Sequence, residues 1–226
     1  MSNMEKSDLQ LLIASSVHDM KNTLAMILDS ADNAATDDAD AREKALATLR
    51  YEASRLSNDL IHLMGVYRVN VNELPIAIDE CEVMDLLMQQ KLRNEVLLNK
   101  HGIRLEIDCD EYDEWYFDQE LIGGVINNVI VNAVRYTKSQ IKMSAKVEND
   151  WLCIKIEDDG PGFPPAMIEN PAHDMKQIDF RQGSTSMGIY FASRVCAMHT
   201  REEEKGYIML QNGGAFGGSV FNIFLP

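Results

Sequence analysis

The stretch SSVHDMKNTL, residues 15–24, lies inside a long helical pattern that decides the fold of the first part of the chain. Apolar or small residues recur there at spacings of four and three, at Leu9, Ile13, Val17, Met20, Leu24, Ile27, Ala31 and Ala34. Such spacings predict a helix with one apolar seam. His18 lies about 100° around the helix from Val17, at the edge of that seam. Asn22 lies one turn further along and Asp19 is the next residue, so an amide and a carboxylate are in reach of the imidazole.

A histidine on a partly exposed helix face acts as a nucleophile when polar neighbours assist its ring. A lone helical histidine is more often an ordinary surface or core residue. The rest of the chain decides between these two interpretations of His18.

A second helical pattern follows a polar break at residues 36–40. Its seam has a similar spacing and comprises Leu46, Leu49, Ala53, Leu56, Leu60, Leu63 and Tyr67. Two such helices joined by a short loop form a hairpin. A single hairpin does not bury both seams well, so we expect two hairpins to pair into a four-helix bundle, which makes the protein a homodimer. A monomeric hairpin packed on the rest of the chain is the alternative.

Pro75 indicates that the second helix has ended, and we place a domain boundary between residues 1–72 and 73–226. Helices and strands then mix without strict alternation, which predicts an α+β sandwich of helices on a sheet. The predicted strands are 76–79, 102–107, 141–147, 152–156, 207–211 and 219–224. The predicted helices are 83–97, 118–136 and 187–198.

Composition restricts the partners and the location. The net charge of −15 argues against binding to nucleic acid or to anionic membranes. No apolar run approaches the roughly 20 residues that span a bilayer, and the polar residues 1–8 do not resemble a signal peptide. The four cysteines are scattered without a Cys-x-x-Cys pair, which favours reduced, buried thiols. We therefore expect a cytoplasmic protein with no nucleic-acid partner and no membrane insertion.

Two asparagines, Asn128 and Asn132, are spaced to present their amides on one helix face. Amide oxygens are hard neutral ligands that suit Mg²⁺ carrying phosphate oxygens, and Arg135 adds a cation for the same phosphates. The ordinary alternative is that the paired amides hydrogen-bond a neighbouring loop.

Two glycine-containing stretches follow, DDGPGF at 158–163 and GSTSMG at 183–188. A carboxylate at a strand end, such as Asp158, accepts the exocyclic amine of adenine when glycines let the backbone approach the base. Backbone N–H groups at the start of a helix, with hydroxyls beside them, form a phosphate cradle. The alternatives are a tight turn for the first stretch and a Ser/Thr helix cap for the second.

The order and spacing of these sites resemble the catalytic core of bacterial sensor histidine kinases. Residues 18–24 resemble the H-box, 128–136 the N-box, 158–163 the G1 box, 183–188 the G2 box and 213–226 the terminal strands. The resemblance covers nearly the whole chain. It implies a dimerisation and histidine phosphotransfer hairpin followed by an ATP-binding domain of the gyrase/Hsp90 type.

The resemblance also implies roles for residues of the hairpin and of the helix at 118–136. His18 is then the phosphorylated residue and Asp19 the base that takes its proton. Asn22 positions water when the partner's phosphate is removed. Asn132 binds Mg²⁺, with Asn128 beside it.

For the nucleotide, the resemblance implies that Arg135 and Tyr136 face ATP and that Asp158 reads adenine. Gly160 and Gly162 shape the adenine pocket. Thr185 and Gly188 hold the phosphate end, under a lid of about residues 163–186.

The sequence departs from the family pattern at Thr23, where the H-box has proline, and at Ser184 and Ser186, where the G2 box has glycines.

The leading hypothesis is a dimeric kinase that phosphorylates His18 from Mg-ATP and passes the phosphoryl group to an aspartate of a response regulator receiver domain, with phosphatase activity as well. A separate sensor protein or a missing sensor region supplies the signal, because only about 17 residues precede the H-box. The alternatives are a phosphotransferase with a degenerate nucleotide site, relaying phosphate between receiver domains, and a non-catalytic dimeric adaptor.

Overall fold

The computed structural model of the chain describes residues 3–70, 75–169 and 185–226. Its contacts divide the chain into two compact units. The first contains two long helices, and the second contains the strands and most of the remaining helices. The predicted boundary between residues 72 and 73 falls outside the described residues, so it stays a prediction.

The first unit is a helical hairpin of α1, Asn3–Asn33, and α2, Ala39–Asn70. Both helices and the polar break between them were predicted. Asp38 caps α2, because its Oδ1 accepts hydrogen bonds from the backbone N–H groups of Asp40 (3.0 Å) and Ala41 (3.2 Å).

The face that α1 buries overlaps the predicted seam only in part. Met20 of the seam is buried and Ile13 and Ile27 are half-buried, whereas Val17 and Leu24 are 53% and 47% exposed. Ser16, Thr23 and Ser30, each one residue before a position of the seam, are buried as well. Val17 and Leu24 therefore stay outside the single hairpin.

The second unit contains a five-stranded sheet with the strand order β2-β4-β5-β9-β8. Its strands are β2 (Arg104–Asp108), β4 (Gln140–Glu148), β5 (Trp151–Asp158), β8 (Tyr207–Gly213) and β9 (Gly218–Leu225). Strand β2 runs parallel to β4, and the other neighbouring pairs are antiparallel. Two separate ribbons pair β1 (Asp79–Glu82) with β3 (Glu114–Phe117) and β6 (Thr200–Arg201) with β7 (Glu204–Lys205).

The helices of this unit are α3 (Val83–His101), α4 (Gln119–Val134), α5 (Pro165–Glu169) and α6 (Thr185–Met198). The α+β architecture was predicted correctly, and so were its main strands and its three longer helices. The strand predicted at 76–79 is wrong by three residues, since β1 begins at Asp79. Strands β3, β6 and β7 and helix α5 were not predicted, because they are short and carry little periodic pattern.

Alternate residues of the central strands form the core. Fully or almost fully buried side chains on one face of the sheet are Ile141, Met143, Leu152, Ile154, Ile156, Phe221, Ile223 and Leu225. Leu86, Leu87, Ile122, Ile126 and Ile130 of α3 and α4 are also buried. Each such side chain contributes roughly 1.5–3 kcal/mol by leaving water. This burial fixes α4, and thereby its asparagines, against the sheet.

The predicted turn between β4 and β5 is confirmed. Asn149 and Asp150 have φ values of 53° and 62°, and Glu148 pairs with Trp151. Two residues in the left-handed region give a tight hairpin turn that matches strand twist.

The cysteines differ in part from expectation. All four thiols are free, as predicted, but only Cys196 is buried and the other three are half-buried. Burial raises the pKa of Cys196 to about 12.

In the described part of the chain, no helix has both the length and the apolar character needed to cross a bilayer.

Candidate functional site

The first candidate site lies on α1. His18 and Asn22 are both exposed, and Asn22 Nδ2 lies 3.4 Å from His18 Nδ1. The i to i+4 spacing on a helix brings the amide to the ring, as predicted. The direction of this contact depends on the imidazole tautomer and the amide orientation. The side chain of Asp19 lies outside the described residues, so its predicted place beside the ring stays a prediction.

The second candidate site begins on α4. Asn132 Nδ2 donates to Asn128 Oδ1 at 3.1 Å, and Asn128 is 6% exposed while Asn132 is half-buried. Asn132 thus uses its nitrogen within the pair, which leaves Oδ1 as the atom that suits a cation. A single hard amide oxygen fits Mg²⁺ that is held mainly by substrate phosphates. The donor chemistry is therefore compatible with the predicted metal role of Asn132.

Gly188, on α6, packs directly against the amide of Asn128. A Cβ added at Gly188 would collide with Asn128 Nδ2. A side chain here would force α6 away from α4, which explains the need for glycine without invoking its backbone freedom. Thr185 is the first residue of α6, but its side chain lies outside the described residues.

Asp158 ends β5 and is 4% exposed. Its Oδ1 accepts from the backbone N–H groups of Gly160 (2.7 Å) and Ser219 (3.2 Å), and its Oδ2 accepts from the Ser219 hydroxyl. These donors compensate for burying the carboxylate and hold it in one orientation. Each carboxylate oxygen has more than one lone pair, so the group retains acceptor capacity for a ligand amine.

The backbone after α4 meets the loop after β5. A Cβ at Gly160 would lie 2.8 Å from the carbonyl oxygen of Tyr136 and 2.9 Å from Asp158 Oδ1. Arg135 is the half-buried C-cap of α4, and Tyr136 is exposed. The structure thus brings Arg135, Tyr136, Asp158 and Gly160 to one end of the sheet.

Asn212, on β8, holds the far end of the same loop. Its Oδ1 accepts from Phe163 N (2.6 Å), and its Nδ2 donates to Phe163 O (2.9 Å). Gly162 has a φ of 84°, and a Cβ there would lie 2.7 Å from Asn212 Oδ1. Gly162 is therefore required both by its backbone conformation and by the close approach of the amide.

Ser219 and Asn212 were not predicted to belong to the site. Both lie on the last two strands, far from Asp158 in sequence, and only the register of β5, β9 and β8 brings them near it. The glycine-rich stretch at 213–218 indicated an unusual backbone conformation. It did not indicate which side chain would contact the Asp158 carboxylate.

Residues 117–226 match the family described as histidine kinase-, DNA gyrase B- and HSP90-like ATPases. The sensor protein KinB of alginate biosynthesis in Pseudomonas aeruginosa is 27% identical over 168 residues, which are 71% of this chain and 28% of that protein. The sensor protein SrrB of Staphylococcus aureus (strain N315) is 21% identical over 219 residues, 95% of this chain and 37% of that protein. The chain thus spans about a third of the length of these relatives.

Solved structures share the fold. Histidine kinase ThkA in complex with response regulator protein TrrA matches with a TM-score of 0.66 at 19% identity, covering 99% of this chain and 63% of that one. Full-length ShkA in complex with AMPPNP matches with a TM-score of 0.63 at 17% identity, covering 96% and 45%. The predicted helical hairpin followed by a gyrase/Hsp90-type ATP-binding fold is confirmed.

Proposed function

We propose that this chain, as the catalytic core of a sensor histidine kinase, phosphorylates His18 from ATP and passes the phosphoryl group to a response regulator. The observation that carries the proposal is the buried Asp158 carboxylate, held at the end of β5 beside the loop that follows α4. A buried carboxylate with remaining acceptor capacity is suited to a ligand that offers an N–H group.

Asp158 accepts the exocyclic amine of adenine in this proposal. Ser219 and the N–H of Gly160 keep the carboxylate oriented, so little ordering is needed when the base binds. Gly160 and Gly162 keep side chains away from the base, and Tyr136 borders the site through its backbone.

The phosphate end lies toward Asn132, Arg135, Thr185 and Gly188. Asn132 Oδ1 would hold Mg²⁺, which neutralises phosphate charge when it is bound. Arg135 contributes a guanidinium for phosphate oxygens. The N–H groups at the start of α6, with the Thr185 hydroxyl, would complete the cradle. Support comes from the placement of Asn128 beside Asn132 and against Gly188.

His18 is the nucleophile. A ring nitrogen attacks the γ-phosphorus, the bond between that phosphorus and the β,γ-bridging oxygen breaks, and ADP leaves with the bonding electrons. The ring must also lose a proton to give neutral phosphohistidine, and Asp19 accepts it. An aspartate oxygen of the receiver domain then attacks the same phosphorus, and the N–P bond breaks.

Asn22 acts in the opposite reaction, the removal of phosphate from the receiver domain. Its amide is uncharged and does not act as a base, but one turn from His18 it is placed to orient water toward a phosphoaspartate of the docked receiver. We therefore assign phosphatase activity to the same hairpin. ATP is a cytoplasmic substrate, so the proposed location is the cytoplasm. A sensor protein or sensor region supplies the signal in this proposal.

The direct test is incubation with γ-phosphate-labelled ATP. We expect the wild type to become labelled and His18→Gln to remain unlabelled, because glutamine lacks the ring nucleophile. His101→Gln is the matched control, since His101 is an exposed histidine at the end of α3. Labelling of His18→Gln at the wild-type level would refute the assignment of the phosphoacceptor.

The same assay separates the neighbours of His18. Asp19→Asn removes the base but keeps the shape, so its labelling rate should fall by roughly 10²-fold or more. Asn22→Ala should be labelled normally but should slow the loss of phosphate from the receiver domain. Equal losses of both reactions in both variants would indicate a folding defect instead of separate roles.

A further inference from the structure

The loop after α4, residues 135–139, carries two of the residues assigned to the nucleotide, Arg135 and Tyr136. Its start is fixed by helix-type hydrogen bonds from Arg135 N to Asn132 O (3.2 Å) and from Tyr136 N to Ala133 O (2.9 Å). Its end is fixed to the sheet edge, because Arg104 N donates to Ser139 O at 2.8 Å. These bonds set the two ends of the segment, and just beyond its end Ile141 of β4 pairs with Asp158 of β5.

Asp159 adds side-chain hydrogen bonds from the loop after β5 to the segment itself. Its Oδ1 accepts from Lys138 N (2.8 Å) and Ser139 N (3.1 Å), and its Oδ2 accepts from Ser139 N (3.1 Å) and the Ser139 hydroxyl (2.6 Å). Asp159 directly follows Asp158, so the chain segment that holds the buried carboxylate also holds the loop after α4. The Tyr136 carbonyl then lies against Gly160, the next residue.

The charge of Asp159 is part of this geometry. Partial burial raises the pKa of its carboxyl, but hydrogen bonds from the Ser139 hydroxyl and from the backbone N–H groups of Ser139, Lys138 and Gln140 outweigh that effect and lower the pKa to about 2. The side chain is therefore an anion at any physiological pH. An anion accepts all of these bonds at once, whereas an amide of the same shape presents two N–H groups in place of one oxygen.

We propose that Asp159 is a positioning residue of the nucleotide site, which acts by holding the Arg135–Tyr136 backbone at a set distance from Asp158. The inference rests on the proposed ATP-binding function. Asp159 itself need not touch ATP: it joins the segment assigned to adenine with the segment assigned to phosphate. Without it, the backbone N–H groups of Lys138 and Ser139 lose their hydrogen bonds to the loop after β5, and nucleotide binding must order the segment.

Replacing Asp159 should lower the affinity for the nucleotide but should leave the rate of phosphoryl transfer from bound ATP unchanged. Ordering a loop on binding lowers affinity, whereas the phosphoryl transfer itself follows once ATP is bound. Asp159→Ala should weaken AMPPNP binding to the full chain by about tenfold, the amount expected when hydrogen bonds to a charged acceptor are lost. Asp159→Asn retains one acceptor oxygen and should show a smaller loss, about threefold.

The test measures AMPPNP binding by calorimetry together with labelling by γ-phosphate-marked ATP. Asp108→Ala is the matched control, because Asp108 is an exposed carboxylate of the same unit whose partner, Lys142 (2.6 Å), lies on β4. We expect Asp159→Ala to raise the KM for ATP and to leave the labelling rate at saturating ATP within about twofold. Asp108→Ala should change neither quantity.

A double-mutant cycle tests whether Asp159 acts through its hydrogen bonds to Ser139. Ser139→Ala should weaken AMPPNP binding in the wild-type background and should have little further effect in Asp159→Ala, because both changes remove the same contact. Wild-type affinity in Asp159→Ala, or a lowered melting temperature with an unchanged KM, would overturn the positioning role alone. Failure of the wild-type chain to bind AMPPNP would overturn the proposed function and this inference together.

Discussion

At the scale of single residues, three successive carboxylates, Glu157, Asp158 and Asp159, hold three different parts of the ATP-binding fold. Glu157 Oε1 accepts from Ala215 N at 3.0 Å in the turn between β8 and β9. Asp158 accepts hydrogen bonds from Ser219 and Gly160, and Asp159 accepts hydrogen bonds from the loop after α4. Alternation along β5 sends Glu157 and Asp158 to opposite faces of the sheet. Glu157 and Asp158 are both buried, and Asp158 is the one that we propose to meet the base.

Replacing Asp158 by asparagine should weaken ATP binding. The substitution removes the charge that strengthens the adenine hydrogen bond and turns an N–H group toward the Ser219 hydroxyl or toward N–H donors. We expect a loss of roughly 1–3 kcal/mol in the free energy of ATP binding, measured by calorimetry. Asp150→Asn is the control, because Asp150 lies in the β4–β5 turn at a positive φ that asparagine also adopts. Unchanged affinity in Asp158→Asn would exclude the adenine role.

At the scale of elements, one histidine connects the end of α6 to the beginning of α4. His199 Nε2 accepts from Asp118 N (3.0 Å), and His199 Nδ1 lies 2.9 Å from Val195 O, to which it donates. Asp118 is the N-cap of α4, since its Oδ1 accepts from Leu121 N (2.9 Å), and its Oδ2 accepts from Ala77 N (2.8 Å). The neutral imidazole satisfies both contacts, because it has one donor and one acceptor nitrogen.

Protonation of His199 should destabilise the ATP-binding unit. Burial lowers the pKa of His199 below its ordinary value of 6.5, more strongly than the Val195 carbonyl and the Asp118 carboxylate raise it. The unfolded chain then binds a proton at a higher pH than the folded chain. The contribution to stability is thus complete above about pH 6.5 and is lost as pH falls toward the lower pKa of the folded state.

The measurement is the melting temperature of the full chain at about pH 7.5 and about pH 5.5. His199→Gln should be less stable at the higher pH but should lose less stability on acidification, because glutamine accepts from Asp118 N without titrating. His101→Gln, at an exposed position, should retain the wild-type dependence on pH. The same dependence in His199→Gln and wild type would show that another group is responsible.

At the scale of the whole molecule, the two units differ in how completely they bury their apolar side chains. The α+β unit has a continuous core of fully buried residues. The hairpin leaves several large apolar side chains exposed, namely Val17, Leu24, Leu28, Leu46 and Leu60. A second hairpin would cover such a surface, and each leucine so covered contributes roughly 1.5–3 kcal/mol. We therefore retain the prediction of a homodimeric four-helix bundle.

Light scattering at micromolar concentration should give the mass of a dimer for the wild type. Leu24→Asp combined with Leu60→Asp should give a monomer that keeps its helical circular dichroism, because both side chains are already exposed in the single hairpin. Val96→Asp is the control, since Val96 is an exposed apolar residue of α3. A monomeric wild type would exclude the bundle.

The elements that could be predicted without the structure are those with a strong hydrophobic period, or with a residue that marks a turn or the start of a helix. Helices α1 and α2 follow from their repeating spacing, the β4–β5 hairpin from two alternating runs around Asn149 and Asp150, and the start of α4 from Asp118. The resemblance to sensor histidine kinases follows from four motifs in order. These features are local in the chain, and their physical causes act over a few residues.

Which side chains share a site depends on how the elements pack together. Met20 of the α1 seam is buried but Val17 and Leu24 are exposed, because the choice of buried face depends on what packs against the helix and not on α1 alone. Asp158, Ser219 and Asn212 come together through the register of β5, β9 and β8, which local pattern does not specify. Asp159 looked like part of a turn, and its bonds to Ser139 exist only because the fold returns the loop after α4 to the end of β5. Contacts between residues distant in sequence depend on how whole elements pack, and for that reason they are absent from any single stretch of the chain.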